Sequence, residues 1–98
     1  MDSYARLLWW LFGSSSGAGT RARIVLALRE EPENALGLAR VLQVDYSTVR
    51  HHLRILELNR MVESAGPNYG RVYSVTDALE ARWDVMEVIL ERSRRKAR

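Results

Sequence analysis

Apolar residues recur at steps of three and four through most of this chain, and give way to alternation only near its middle. Ile24, Val25 and Leu28 form one helical stripe, opened by an N-cap at Thr20 and closed before Pro32, whose ring disfavours helix in the residue ahead of it. Leu38, Ala39 and Leu42 form a second, capped by Asn34, with Gly37 costing a little helix propensity. Val49, Leu53 and Leu56 form a third, capped by Asp45, whose carboxylate suits the free backbone donors and positive end of a helix. After Asn59 the period changes. Met61 to Ser64 and Arg71 to Val75 read as two strands, and the AGPNYG between them supplies the turn formers of a hairpin, with Tyr69 and Arg71 near its tip. Helical spacing returns at Leu79, Trp83, Met86 and Leu90, widened by Val85 and Ile89, in a helix begun by Asp77 with Glu80 completing a capping box. Ahead of all this, Tyr4 to Phe12 reads as a short apolar helix, and GSSSGAG (13–19) as a flexible connector that ends it.

These elements predict a mainly α protein with one small β-hairpin, an α+β fold on a single core. At 98 residues there is room for one modest domain and none for a second. The expected division is an apolar helix and Gly/Ser linker over 1–19, the folded domain over 20–92, and a basic tail over 93–98. Only Gln43 and Val44 separate the second helix from the third, and two helices joined so tightly must cross as a helix-turn-helix. The stripe on the last helix is broader than one small domain needs, so it calls for a partner surface.

The third helix has a second face. Opposite its apolar back stand Ser47, Arg50, His51 and Arg54, donors with small polar neighbours in the first turn, which is what a helix that reads the DNA major groove requires. Arg50 can donate a fork to guanine. Ser47 and Thr48 can reach phosphate or base edges, and Arg54, one turn on, suits phosphate, with Arg40 and Arg60 as weaker additions. Charge agrees. The net excess is only +3, but residues 20–60 hold seven Arg against five acids, and residues 92–98 hold five bases and no acid.

Other classes find less support. With no Cys there are no disulfides, thiolate nucleophiles or thiolate metal sites. His51 and His52 are adjacent, so their rings diverge by about a hundred degrees along a helix and do not converge on one ion. His51 faces out, and His52 is expected beside the core or under the hairpin. No metal and no cofactor is expected. GSSSGAG lacks the Lys and preceding strand of a phosphate loop, and no Ser, His and acid set is marked by spacing, so no catalytic residue is assigned. The nine residues Tyr4 to Phe12 fall short of the roughly twenty a membrane span needs, and no cleavage site of a signal peptide follows them.

The order helix, helix, helix, hairpin, helix, together with ALGLARVLQVDYSTVRHHLRILELNRMV, a Gly-rich hairpin and a T-D start to the last helix, resembles the winged helix-turn-helix domain of ArsR-type transcriptional regulators, small archaeal members especially. The likeness covers Thr20 to about Leu90. It implies that Tyr46, Ser47, Thr48, Arg50, His51 and Arg54 meet the major groove of double-stranded DNA, and that Asn68, Tyr69 and Arg71 of the wing lie on the backbone or minor groove. It also implies a cytoplasmic homodimer joined through the terminal helices: Leu7, Leu8, Trp10 and Leu11 with Trp83, Met86, Ile89 and Leu90 of a second subunit. Metal sensors of this family use a Cys pair, or Asp and His on the last helix; this chain has no Cys, and that helix has no His. No small-molecule ligand is evident. Two rival readings are a winged helix used for protein contact and a regulator held at a membrane surface by Leu7 to Phe12. The absence of acids before Glu57 on the front of the third helix favours DNA.

Overall fold

The structure, a computed structural model, describes residues 1–96. In chain order its elements are α1 (Ser3–Trp9), one π-helical turn (Trp10–Ser14), α2 (Ala18–Glu30), β1 (Glu33–Asn34), α3 (Ala35–Leu42), α4 (Tyr46–Leu58), β2 (Val62–Ala65), β3 (Val72–Val75), α5 (Asp77–Glu80) and α6 (Trp83–Lys96). A three-stranded antiparallel sheet in the order β1-β3-β2 stands beside the helices. No helix among the described residues is long and apolar enough to cross a membrane.

The expected caps form at α3 and α4. Asn34 accepts from the Gly37 N–H at 2.8 Å, and Asp45 from the Ser47 N–H at 3.2 Å. Between the two helices Gln43 takes the left-handed conformation (φ 55°), which turns the chain in two residues, and the Val44 N–H donates to the Ala39 carbonyl at 3.1 Å. This is the turn of the helix-turn-helix. The backs of the helices then meet in one core, where Ile24, Val25, Leu38, Val49, Leu53 and Leu56 are at most 1% exposed.

Several expectations are corrected. α2 begins at Ala18, with Gly17 and not Thr20 as its N-cap. The segment 13–19 is therefore ordered: Gly13 and Ser14 end the π-helical turn, Ser15 to Gly17 make a tight turn, and Ala18 and Gly19 open α2. Gly17 sits at φ +85°, and a Cβ there would lie 2.6 Å from Cε1 of His52, so only glycine fits between turn and α4. The last helix is two helices, and the N-cap of the first is Thr76, whose hydroxyl accepts from the Leu79 N–H at 3.3 Å. Glu80 closes no capping box because its carboxylate takes Arg29 at 2.8 Å, and the Arg29 guanidinium also lies 4.1 Å from the Trp83 ring centroid. The strands start one residue later than predicted, and β1 was not foreseen: two residues, Glu33 and Asn34, pair with Tyr73 and Val72.

The largest correction concerns the terminal helices. Leu8, Leu11 and Phe12 are at most 1% exposed, in the same core as Met86 and Ile89. The broad stripe on α6 has its partner in the N-terminal segment of the same chain. Arg82 pairs with Asp2 at 3.2 Å and lies over Tyr4, and Arg92 lies over Trp9, so charged side chains fasten the same contact from outside. Of the eight residues expected between subunits, Leu8, Leu11, Trp83, Met86 and Ile89 are consumed by this internal packing, leaving Trp10 exposed and Leu7 and Leu90 half-buried. Ser93–Lys96 continue α6 and form no separate tail, and residues 97 and 98 lie outside the described residues.

Candidate nucleic-acid interface

The exposed side of α4 carries Tyr46, Ser47, Thr48, Arg50, His51 and Arg54, all open to solvent, while Val49, His52, Leu53 and Leu56 point inward. The 3.6-residue period does this directly: Arg50 and Arg54 stack one turn apart on the side opposite the buried stripe. Neither arginine is ion-paired among the described residues. Their charge is therefore uncommitted.

The first turn is fixed by its cap. Asp45 receives both the backbone N–H and the hydroxyl of Ser47, and the Ser47 hydroxyl is the first cause that holds the Asp45 carboxyl below its ordinary range. Ser47 is thus engaged within the chain, and its hydroxyl proton is not free to donate elsewhere. One turn on, Arg50 Nη1 donates to the Tyr46 hydroxyl at 3.2 Å, with the guanidinium 6.0 Å from the Tyr46 ring centroid. That hydroxyl oxygen is the first cause that keeps Arg50 still more firmly protonated. The pair leaves the remaining guanidinium donors facing out.

The wing rises beside this face. Tyr69, 96% exposed, and Asn68 stand at the tip of the β2–β3 turn. Arg71, at its base, is half-buried. Its Nε donates to Ser64 Oγ at 2.7 Å, it also donates to the Gly66 carbonyl, and Ser64 Oγ passes its own proton to Glu57 Oε2 at 2.7 Å. Arg71 therefore braces the wing against the end of α4. The one acid on the front of α4 is spent in that brace.

Between α4 and the wing lies an open groove of about 660 Å³. Tyr46, Arg50, Asn68, Tyr69 and Arg71 line it together, while Ser47, Thr48, His51 and Arg54 lie on α4 outside it. Sequence reading missed Asn34, Leu36 and Tyr73, which also line it, together with Ala35 and Gly70. The sequence marks Asn34 only as a helix cap, and the pairing of β1 with β3 is what carries it there. Leu36, 48% exposed, falls one residue outside the apolar stripe of its helix, the only signal in the sequence that marks it.

The profile described as "Bacterial regulatory protein, arsR family" matches residues 19–64, from the first turn of α2 through most of β2. Over that segment the chain is similar to the helix-turn-helix of ArsR-family regulatory proteins. Solved structures agree with its fold. The Zalpha domain of Carassius auratus PKZ, solved in complex with Z-DNA, is 25% identical, covers 63% of this chain and 100% of its own, and has a TM-score of 0.59. The AntR antimony-specific transcriptional repressor is 19% identical over 95% of this chain and 81% of its own, with a TM-score of 0.71. Wild-type Lactococcus lactis ZitR is 17% identical over 80% of this chain, with a TM-score of 0.61, and this chain spans 54% of its length. No curated protein sequence matches. The match to a family of regulatory proteins supports a regulator and not an enzyme.

Proposed function

We propose that this chain regulates transcription by binding double-stranded DNA as a homodimer, with α4 in the major groove and the wing over the adjoining backbone or minor groove. The observation that carries the reading is the front of α4: Arg50, His51 and Arg54 exposed, free of ion pairs among the described residues, and with the one nearby acid, Glu57, turned into the wing brace. A helix so equipped attracts phosphate and presents donors to base edges at once. The family match and the DNA-bound Zalpha relative support the same partner class. Dimerisation is supported by what remains exposed and apolar near the termini, Trp10 and Val88, with half-buried Leu7 and Leu90 beside them.

Arg50 is assigned to a base edge. Arg50→Ala is expected to weaken binding to a preferred duplex by about 1–3 kcal/mol and to relax one base position, while barely changing binding to random duplex. Fluorescence anisotropy on both duplexes checks this, and equal losses on the two refute the base-reading role.

A further inference from the structure

Beneath the face just described lies a charged side chain that DNA contact does not use. Arg21, on α2, is 2% exposed. Its Nε donates to the Leu11 carbonyl at 2.8 Å, its Nη2 donates to the Ser15 hydroxyl and to the Ser16 carbonyl at 3.3 Å, and its Nη1 meets His52 Nδ1 at 3.3 Å. The first three partners belong to the π-helical turn and the bend after it, where the widened helix leaves carbonyls without intrahelical donors. The fourth belongs to α4. One guanidinium thus bolts the end of the N-terminal segment to the back of the helix assigned to DNA.

The pairing fixes the state of His52. A guanidinium only donates, so Nδ1 must accept, and the ring is neutral with its hydrogen on Nε2. The charged and titratable groups facing it are Arg21 from α2 and His51 from its own helix, and the turn packed against it offers only Ser15, Ser16 and Gly17. The His51 ring, on the exposed side, meets the His52 ring edge-on with centroids 5.3 Å apart. An unbroken chain of contacts therefore runs from the Ser15–Gly17 turn through Arg21 and His52 to His51 on the front of α4.

We infer that Arg21 and His52 are positioning residues that latch the N-terminal segment to α4, set the His51 ring on the DNA face, and release when His52 takes a proton. A proton on Nδ1 would set two donors and two positive charges against each other at the 3.3 Å contact. Burial first, then Arg21, then His51, already push the His52 imidazole below its ordinary value of 6.5. The open form therefore binds the proton better than the closed one. The latch holds above about pH 6.5 and is lost as pH falls from there through the lowered value. The DNA consequence rests on the function proposed above, whereas the latch itself does not.

The chain has two histidines, so His51→Gln leaves His52 as its only imidazole. In that background, hydrogen-exchange protection of the Ser15, Ala18 and Arg21 amides, whose bonds close the turn, is measured by NMR from about pH 8 to 5.5 beside the His52 ring signals. Protection is expected to fall in step with His52 protonation. Affinity for duplex, measured with His51 in place, should weaken as pH falls by up to about tenfold per pH unit more than in the His52→Gln chain, the slope of one linked proton. His52→Gln, which keeps an acceptor for Arg21 but cannot titrate, should flatten the protection profile and leave affinity with only the pH dependence that His51 itself contributes. Protection that stays constant while His52 titrates overturns the latch, and an affinity profile that is the same with and without His52→Gln while protection falls overturns the positioning role. A chain that binds no duplex at pH 7.5 yet opens at Ser15 as His52 protonates sustains the latch and overturns the DNA-binding reading.

Discussion

Arg50 and Arg54 stand one helical turn apart on α4, and the proposed function divides two kinds of contact between them. Arg50 has its guanidinium steadied by the Tyr46 hydroxyl at 3.2 Å, whereas Arg54 has no such partner among the described residues. A steadied fork suits a base edge, and a free one suits phosphate. Arg54→Ala is therefore expected to weaken binding to every duplex alike and to reduce the slope of log affinity against log salt by about 1, which a salt titration of wild type and variant reads directly. Gly17 makes the same point for stability. Its left-handed φ and the absent Cβ both serve the contact with His52, so Gly17→Ala should destabilise the fold by about 1–3 kcal/mol in urea unfolding, and an unchanged midpoint would show that the turn yields without strain. The sequence shows this glycine only as one of several small residues in GSSSGAG. What distinguishes it is a side chain thirty-five positions away.

Elements built on local chemistry were legible, and those built on distant contacts were not. The caps at Asn34 and Asp45, the two-residue turn between α3 and α4, and the hairpin around AGPNYG all follow from residues a few positions apart. β1 did not, because two residues carry no period and are made a strand only by β3 beside them. The N-terminal helix is the instructive case. Its apolar residues and the wide stripe of α6 both signalled a missing partner, and periodicity cannot say whether that partner is another copy or the same chain. The structure answers with Phe12 at 1% exposure and Trp10 at 53%. Phe12→Ala should then cost about 3–5 kcal/mol, a large part of a small domain's stability, while Trp10→Ala should cost about 1 kcal/mol or less, limited to its contact with Arg21. Thermal unfolding of the two variants checks the contrast, and similar losses would mean that the segment is docked more loosely than described.

At the scale of the whole molecule, dimension and charge bear on how the chain meets DNA. The molecule extends 38 × 28 × 21 Å, so two copies side by side about a two-fold axis have the dimensions to set their α4 helices about 34 Å apart, one turn of B-form duplex. Such a dimer would face DNA with two wings and two Arg50 side chains, and would require a site that repeats with inverted symmetry. The site residues on α4 were legible because the helix period alone puts them on one face. Their common groove with the wing was not, because the pairing of β1, β3 and β2 builds it. The central claim is that this face reads DNA sequence, and selection of bound duplexes from a random pool by the purified chain tests it most directly. At moderate salt the expected result is enrichment of a two-fold symmetric site with half-sites about one helical turn apart. A bound pool indistinguishable from the input would contradict the claim and turn the same exposed face toward a protein partner.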